Sequence, residues 1–443
     1  MKSDFEKKQK QQNRNTLENK IKLRMEFEGQ DLYKEETLRR HRMSSGGRVI
    51  VILIVILVVL YVVSLTGIIP YGLIQSNLEG TSYWNGAHFS YTLSTYREYI
   101  VYSVSQLVKF ITGAGGADTT APLIWTRAVV VMAGMAMGAC GAAYQGVFRN
   151  PMASSTTLGV QSGGMIAGIL YIYFVGESTL EYKLLEEYGS TGTQYIIKGS
   201  DLIELTNSMS IFQLSAQSFC TLAGCFIGVA LIVGIAMAAG RGKVNTVALL
   251  LAGSIFSTVI NQIAQLFQYA AALNDEDETK ATLITNMING RFDASDYQWY
   301  DAMFIGIPLA ICLIILFSIA GKINIMNFGA EEAKAMGVNV TGFRNLLIAV
   351  CTIISAVVLS FCGQITMLDF MMPQFARYLV GPDFKVLMPV SALLGGITSL
   401  VIYNVCYLMA STSNFNRYVG IVCGVLSVIF IIFFRRQRHA DWA

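Results

Sequence analysis

Charge is what this sequence has least of. Only 14% of its 443 residues are Asp, Glu, Lys or Arg, and 53% are hydrophobic. Soluble domains carry about 25% charged residues, so a large soluble enzyme is a poor fit. The net charge of +3 gives no overall field for nucleic acid. Histidine is nearly absent, with His41, His88 and His439 far apart. The eight cysteines lie mostly inside apolar runs and form no CxxC pair. They read as small hydrophobes rather than as disulfide or zinc ligands. No GxxxxGK[ST] phosphate loop exists, since the Gly-rich stretches at 113–116 and 240–242 lack its Lys-Ser/Thr ending. No catalytic residue, metal ligand or directly bound cofactor is legible, and any nucleotide hydrolysis falls to a partner.

Long apolar runs fill the space that charge leaves. A crossing needs about 20 mostly apolar residues. Ten candidate spans follow, at about 49–69, 127–147, 156–175, 212–239, 246–273, 300–320, 345–363, 367–380, 386–410 and 418–434. The piece at 367–380 is short and contains Pro373. Residues 49–69 are preceded by 48 polar residues and followed by no small-residue cleavage site, so they read as a retained helix rather than a signal peptide. This predicts an all-α membrane protein: a charged tail at 1–48, a ten-helix domain at 49–434 and a basic tail at 435–443.

Loop charge orients the spans. Arg39, Arg40, Arg42 and Arg48 adjoin the first one and place the N-terminus in the cytoplasm. Residues 70–126, with an amphipathic piece near Tyr96–Ile111, and the acidic loops 177–204 and 274–301 then face outward. Arg149, Arg241, Lys243, Lys322, Arg344, Lys385 and the closing Arg435-Arg436 mark the inner side, and even parity puts both termini inside.

Small residues mark the close helix contacts. Gly134, Gly138, Ala142 and Gly146 fall four apart on one ridge, and Gly159, Gly163 and Ala167 form another, with Gly164 and Gly168 beside it. Such faces let helix backbones approach closely in lipid. Between the ridges lies the polar turn Gln145-Gly-Val-Phe-Arg149-Asn150-Pro151-Met152-Ala153, a break of the kind tolerated where backbone lines a route. The basic loop 321–344 holds a second interruption. There Asn327 is expected to cap a short helix with Glu331 and Glu332 in its first turn, and Gly337 to end it. Ala333 and Met336, three apart, are placed on the face presented to a partner.

Secondary transporters usually carry Asp, Glu, Lys or Arg near the midplane. The span centres here are almost free of charge. An ion-coupled transporter and a membrane scaffold or receptor remain as alternative classes. Asp369, at a boundary turn between Leu368 and Phe370, reads either as a helix cap or as a pathway charge.

The order of motifs then becomes specific. Gln145-xxx-Arg149-Asn150-Pro151-Met152-Ala153 precedes Leu158-Gly159-Val160-x-Ser162-Gly163. Leu249-Leu-Leu-Ala-Gly253, Asn327-Phe-Gly-Ala-Glu-Glu-Ala-Lys-Ala-Met-Gly337-Val338 and Pro373-x-x-Ala376-Arg377-x-Leu-Val-Gly381-Pro-Asp383 follow. Together they resemble the permease subunits of binding-protein-dependent ABC importers for iron-siderophore, heme and cobalamin, over roughly residues 49–434.

The resemblance implies a multi-pass plasma-membrane permease working by alternating access. Its partners would be a second permease copy or paralogue, two cytosolic ATP-binding subunits using ATP and Mg, and an external substrate-binding lipoprotein. Iron-siderophore is the leading substrate, heme or cobalamin the alternative. By position, Asn150, Pro151, Met152, Asn245 and Thr246 resemble the cytoplasmic gate, and Asn327, Glu331, Glu332, Ala333, Met336 and Gly337 the ATPase-coupling segment. Arg127 resembles a docking residue for the binding protein, and Gln145 and Asp369 are candidate pathway residues. The sequence departs from the family pattern at Ile124, for an arginine, and Thr126, for a proline. Ser154 and Ser155 replace an acidic residue and a proline, Gln374 a histidine, and Asp369 a glycine.

Overall fold

The computed structural model describes residues 46–64, 121–175, 199–239, 246–273, 278–290, 299–365 and 367–409, with single positions between 422 and 428. All regular structure among them is helical. The order is α1 (Gly46–Ser64), α2 (Ala121–Phe148), α3 (Val160–Phe174), α4 (Gly199–Ala239), α5 (Thr246–Ala272) and α6 (Glu278–Asn289). There follow α7 (Trp299–Met326), α8 (Ala330–Ala335), α9 (Val340–Cys362), α10 (Leu368–Val380) and α11 (Phe384–Met409). Seven of these are long and apolar enough to cross a membrane, namely α1, α2, α4, α5, α7, α9 and α11, and α3 is a shorter apolar helix. Most of the tail at 1–48, the amphipathic piece near 96–111, Arg241–Asn245, most of the span at 418–434 and the basic C-terminal tail lie outside the described residues.

Two segments expected to be outward loops contain helix. The helix α4 begins at Gly199, inside the segment 177–204. Within 274–301, α6 buries Ile284 and Met287 against the bundle. The Met287 side chain packs over Gly168 of α3, and its carbonyl accepts the Gln364 N–H at 3.0 Å.

The core is organised around α2, which packs against α7, α9, α10 and α11. Its ridge does what small-residue spacing dictates. Gly134 meets Ser399 and the Gly395 carbonyl, and Gly138 meets the Ser391 carbonyl, so a Cβ at either glycine would strike α11. Serine hydroxyls close the seam, with Ser391 Oγ donating to the Gly138 carbonyl at 2.7 Å and Ser399 Oγ to the Val130 carbonyl at 2.9 Å. These bonds matter because no water is present in hydrocarbon to satisfy a stray polar group. The second ridge has its own partner, since Gly163 of α3 lies directly against Gly224 and Gly228 of α4. At the other extreme, α1 buries only a narrow stripe through Leu53 and Ser64, while Val51, Ile52, Val55, Val58 and Val59 remain exposed, as on a lipid-facing helix.

Candidate functional site

The chain leaves α2 through a tightly specified turn. The Asn150 N–H reaches the Gln145 carbonyl at 3.2 Å and the Arg149 N–H the Gly146 carbonyl at 3.3 Å, the paired bonds of a Schellman ending. Arg149 occupies the left-handed position at φ 49, where glycine is the usual residue. Asn150 Oδ1 accepts the Met152 N–H at 2.8 Å in an Asx turn, which aims Met152 outward at 60% exposure. Ser154 and Thr157 then cap each other, the Ser154 N–H donating to Thr157 Oγ1 at 2.8 Å and the Thr157 N–H to Ser154 Oγ at 3.1 Å. Past its tip the turn is sealed, with Ala153, Ser154 and Ser155 all buried.

The short helix α10 holds this turn from the side. Asp369, only 1% exposed, presents Oδ2 to both donors of Ser155, the backbone N–H at 2.6 Å and the hydroxyl at 2.5 Å. A proline at 155 could offer neither donor. Pro373 has no N–H to give the Asp369 carbonyl four residues earlier, and that carbonyl faces Gly141 so closely that any Cβ there would overlap it. Farther along α10, Gln374 Nε2 donates to the Pro151 carbonyl at 2.9 Å. Gln145 Oε1 accepts from Gln374 Nε2 and Arg377 Nη1, both at 3.3 Å, while its Nε2 donates to the Phe370 carbonyl at 3.0 Å. Gln145 is wholly buried. The two expected pathway residues therefore both lie inside the chain, Gln145 bonded to α10 and Asp369 bonded to Ser155 through Oδ2, while Asp369 Oδ1 is buried without a hydrogen-bond partner among the described residues.

On its other side the turn is bonded to α5. Ser257 Oγ donates to the Thr156 carbonyl at 2.8 Å, Gly253 lies against the Thr157 carbonyl, and Phe256 approaches Gly159. The opposite face of α5 is exposed and carries Ser254, Thr258, Gln262 and Gln265 at helical spacing, beside Leu251, Ile255 and Val259. This stripe escapes a search for charges, although the four-residue spacing of hydroxyls and an amide is plain in the sequence. Of the remaining gate candidates, Thr246 opens α5 and Asn245 lies outside the described residues.

The segment 327–338 forms the helix α8, with corrections. Its N-cap is Gly329 at φ 132, not Asn327. The α7 helix runs on to Met326, and the Asn327 N–H bonds back to the Ile323 carbonyl at 3.1 Å. Glu331 and Glu332 stand in the first turn as expected, and Gly337 ends the helix at φ 82. Its Schellman bonds run from the Val338 N–H to the Ala333 carbonyl and from the Gly337 N–H to the Lys334 carbonyl. Ala333, expected on the outward face, is fully buried, and the exposed apolar side chains of the segment are Met336 at 53% exposure and, before the helix, Phe328 at 68%. Arg127 lies within the helix packing. It is 4% exposed, its Nε donates to Ser64 Oγ at 2.6 Å, and its guanidinium lies 5.6 Å from the centre of the Tyr403 ring.

The described residues thus present an exposed polar face on α5, a braced turn behind it and two exposed apolar side chains on the 327–338 segment. Similar proteins share this chain's sequence. The cobalamin import system permease protein BtuC of Halobacterium salinarum is 26% identical over 306 residues, which is 69% of this chain and 70% of that one. The molybdate import system permease protein MolB of Haemophilus influenzae is 27% identical, covering 63% of this chain and 69% of that one. The iron(3+)-hydroxamate import system permease protein FhuB of Bacillus subtilis is 24% identical, covering 70% and 69%. In fold, the chain is similar to a solved inward-facing conformation of a metal-chelate type ABC transporter, with a TM-score of 0.59, 22% identity, and 88% of this chain and 99% of that one covered. The match to the FecCD transport family runs over residues 87–437, most of the chain, and this multi-pass membrane protein therefore belongs to that family.

Proposed function

We propose that the chain is the permease of an ATP-driven importer at the plasma membrane, taking a metal chelate inward by alternating access, with an iron-siderophore complex as the foremost substrate. The observation that carries this reading is the exposed polar stripe Ser254–Thr258–Gln262–Gln265 on a membrane helix whose other face is bonded to the braced turn. Polar groups in a span face a partner or a water-filled cavity rather than lipid. A second permease, copy or paralogue, would close the cavity from the other side. The stripe is made of hydroxyls and amides without charge, which suits a chelate whose metal is already coordinated by its own ligands. Two of the relatives are named for cobalamin and iron-hydroxamate import, substrates of that chemistry.

In this reading both termini are cytoplasmic, and Asn150, Pro151 and Met152 stand at the inner mouth with Asn245 and Thr246 opposite. Two cytosolic ATP-binding subunits, using ATP and Mg, dock on the 327–338 segment through Phe328, Met336, Glu331 and Glu332. A substrate-binding lipoprotein delivers the chelate outside. The test is uptake of a radiolabelled iron-siderophore into proteoliposomes containing the permease, its ATPase and its binding protein. ATP-dependent uptake blocked by excess siderophore, and not by heme or cobalamin, supports the reading. Uptake that follows an imposed proton or sodium gradient without ATP overturns it in favour of an ion-coupled transporter, the reading that the buried Asp369 carboxylate favours.

A further inference from the structure

The exposed segment and the braced turn are joined through one side chain, Asn324. The end of α7 runs into α8 with no slack, because the N–H groups of Asn327, Phe328 and Gly329 bond back to the carbonyls of Ile323, Ile325 and Met326 at 3.1 to 3.2 Å. A displacement of α8 must therefore move the last turn of α7. On that turn Asn324 Nδ2 donates to Asp383 Oδ1 at 2.7 Å, and Asn324 Oδ1 accepts the Phe384 N–H at 2.9 Å. Asp383 is itself the start signal of α11, its Oδ1 accepting the Lys385 N–H at 3.1 Å and its carbonyl the Leu387 N–H at 2.8 Å. Asn324 thus completes the cap of α11 from another helix.

Only Gly381 and Pro382 separate this cap from α10, and α10 is the helix that grips the turn. Gln374 holds the Pro151 carbonyl from the middle of it and Asp369 holds Ser155 from its first turn. The same joint presses on the turn directly, since Ile323 and Phe384 both pack against Gly146. We propose that Asn324 and Asp383 form a positioning joint that carries movement of the 327–338 segment through α10 to the turn at 149–159. This rests on the importer reading above and adds the route by which the motor reaches the gate. Two half-buried polar groups suit a joint, because their bonds are directional and water can stand in for either partner while they part.

The test exchanges the two groups in the reconstituted complex of permease, ATPase and binding protein. It reads substrate taken up per ATP hydrolysed, together with recovery of the ATPase with the permease. N324D sets two carboxylates against each other and lowers that ratio by about tenfold, a size within reach of coupled neighbours, while the ATPase is still recovered and still hydrolyses. The double exchange N324D/D383N restores one donor facing one acceptor and returns the ratio toward that of the unaltered chain. N324A, which adds no repulsion, gives the same loss and is read where N324D does not accumulate. S155A, which removes the hydroxyl held by the start of α10, shows the same signature. An unchanged ratio in N324D or N324A with normal ATPase recovery, or a double exchange no better than N324D, overturns the joint alone. Failure of the unaltered chain to recover any ATPase overturns the importer reading and the joint with it.

Discussion

The turn at 149–159 and the segment at 327–338 are built on the same plan and used in opposite ways. Each follows a long helix, and a Schellman ending with a left-handed residue figures in both, at Arg149 and at Gly337. The first turns back into the protein, and Asp369, Gln374 and Ser257 each bond to it from neighbouring helices. The second anchors itself by one buried alanine and leaves Phe328, Glu331, Lys334 and Met336 outside. Among the described residues, the side chains that bond to the first turn from neighbouring helices therefore have no counterpart around the second. In the proposed function, the internally bonded turn transmits force and the segment with exposed apolar side chains receives it.

The largest effect breaks the braced side of this comparison. Gly141→Leu drives a side chain into the backbone carbonyl of Asp369, where no flexible atom can give way. The cost is expected to exceed the about 1–3 kcal/mol typical of overpacking, with little folded protein recovered from detergent. Gly337→Leu meets nothing within 4 Å and bears only the strain of φ 82, about 1 kcal/mol before the entropic offset that replacing a glycine brings. Thermal unfolding of the two variants should differ by a wide margin. Equal losses would mean that the turn is no better braced than the exposed segment.

Next in size is the latch. Asp369→Ala leaves the N–H and hydroxyl of buried Ser155 without their acceptor, and stranded buried donors cost about 1–3 kcal/mol each. The matching deletion on the exposed side, Glu331→Ala, removes an ion pair to Lys334 whose side chains are 83% and 57% exposed. Exposed pairs contribute about 0–1 kcal/mol, so this variant should unfold almost as the parent does. If Asp369→Ala were equally silent, the two Ser155 bonds would be ornaments of the packing.

Phe328→Ser with Met336→Ser sharpens the comparison from the other direction. Both side chains are exposed, so stability should be unchanged. Binding of the ATPase should weaken by about 1–2 kcal/mol, the size expected when interface anchors are truncated, as measured by titration of the labelled subunit. Unchanged affinity would remove the exposed pair from the docking surface.

What could be read from the sequence depended on whether a feature was periodic. Gly134, Gly138 and Gly163 were legible because a four-residue spacing lays them on one helix face before any fold is known. Gly141 was not, since its need for a missing side chain comes from the Asp369 carbonyl, more than two hundred positions away and released by Pro373. The helix α6 was hidden by an acidic, weakly apolar setting, and only Ile284 and Met287, three apart, betray a buried side. Ala333 was misplaced because α8 has six residues, too few turns for a period to declare which face is inward. Asn327 was a sound cap by residue type, and it lost to the continuation of α7. The stripe on α5 is visible as Ser254-Thr258-Gln262, yet it holds no charge, and charge is the usual mark of a functional residue within a span.

The smallest predicted effect tests the shared ending itself. A left-handed residue closes both Schellman motifs, and one is arginine where the other is glycine. An L-residue with a Cβ bears about 1 kcal/mol in that conformation, partly offset because glycine loses more freedom on folding. Arg149→Gly should therefore raise stability slightly, by about 0.5 kcal/mol after that offset, and Gly337→Arg should lower it by a similar amount, since φ 82 is no kinder to a side chain than φ 49. Arg149 is exposed and Gly337 has open space around it, so neither change should disturb packing, and the two shifts in unfolding temperature should be opposite in sign. If Arg149→Gly lowers stability instead, the Arg149 side chain holds the turn in a way that its backbone bonds do not reveal, and the strain at φ 49 is what that hold maintains.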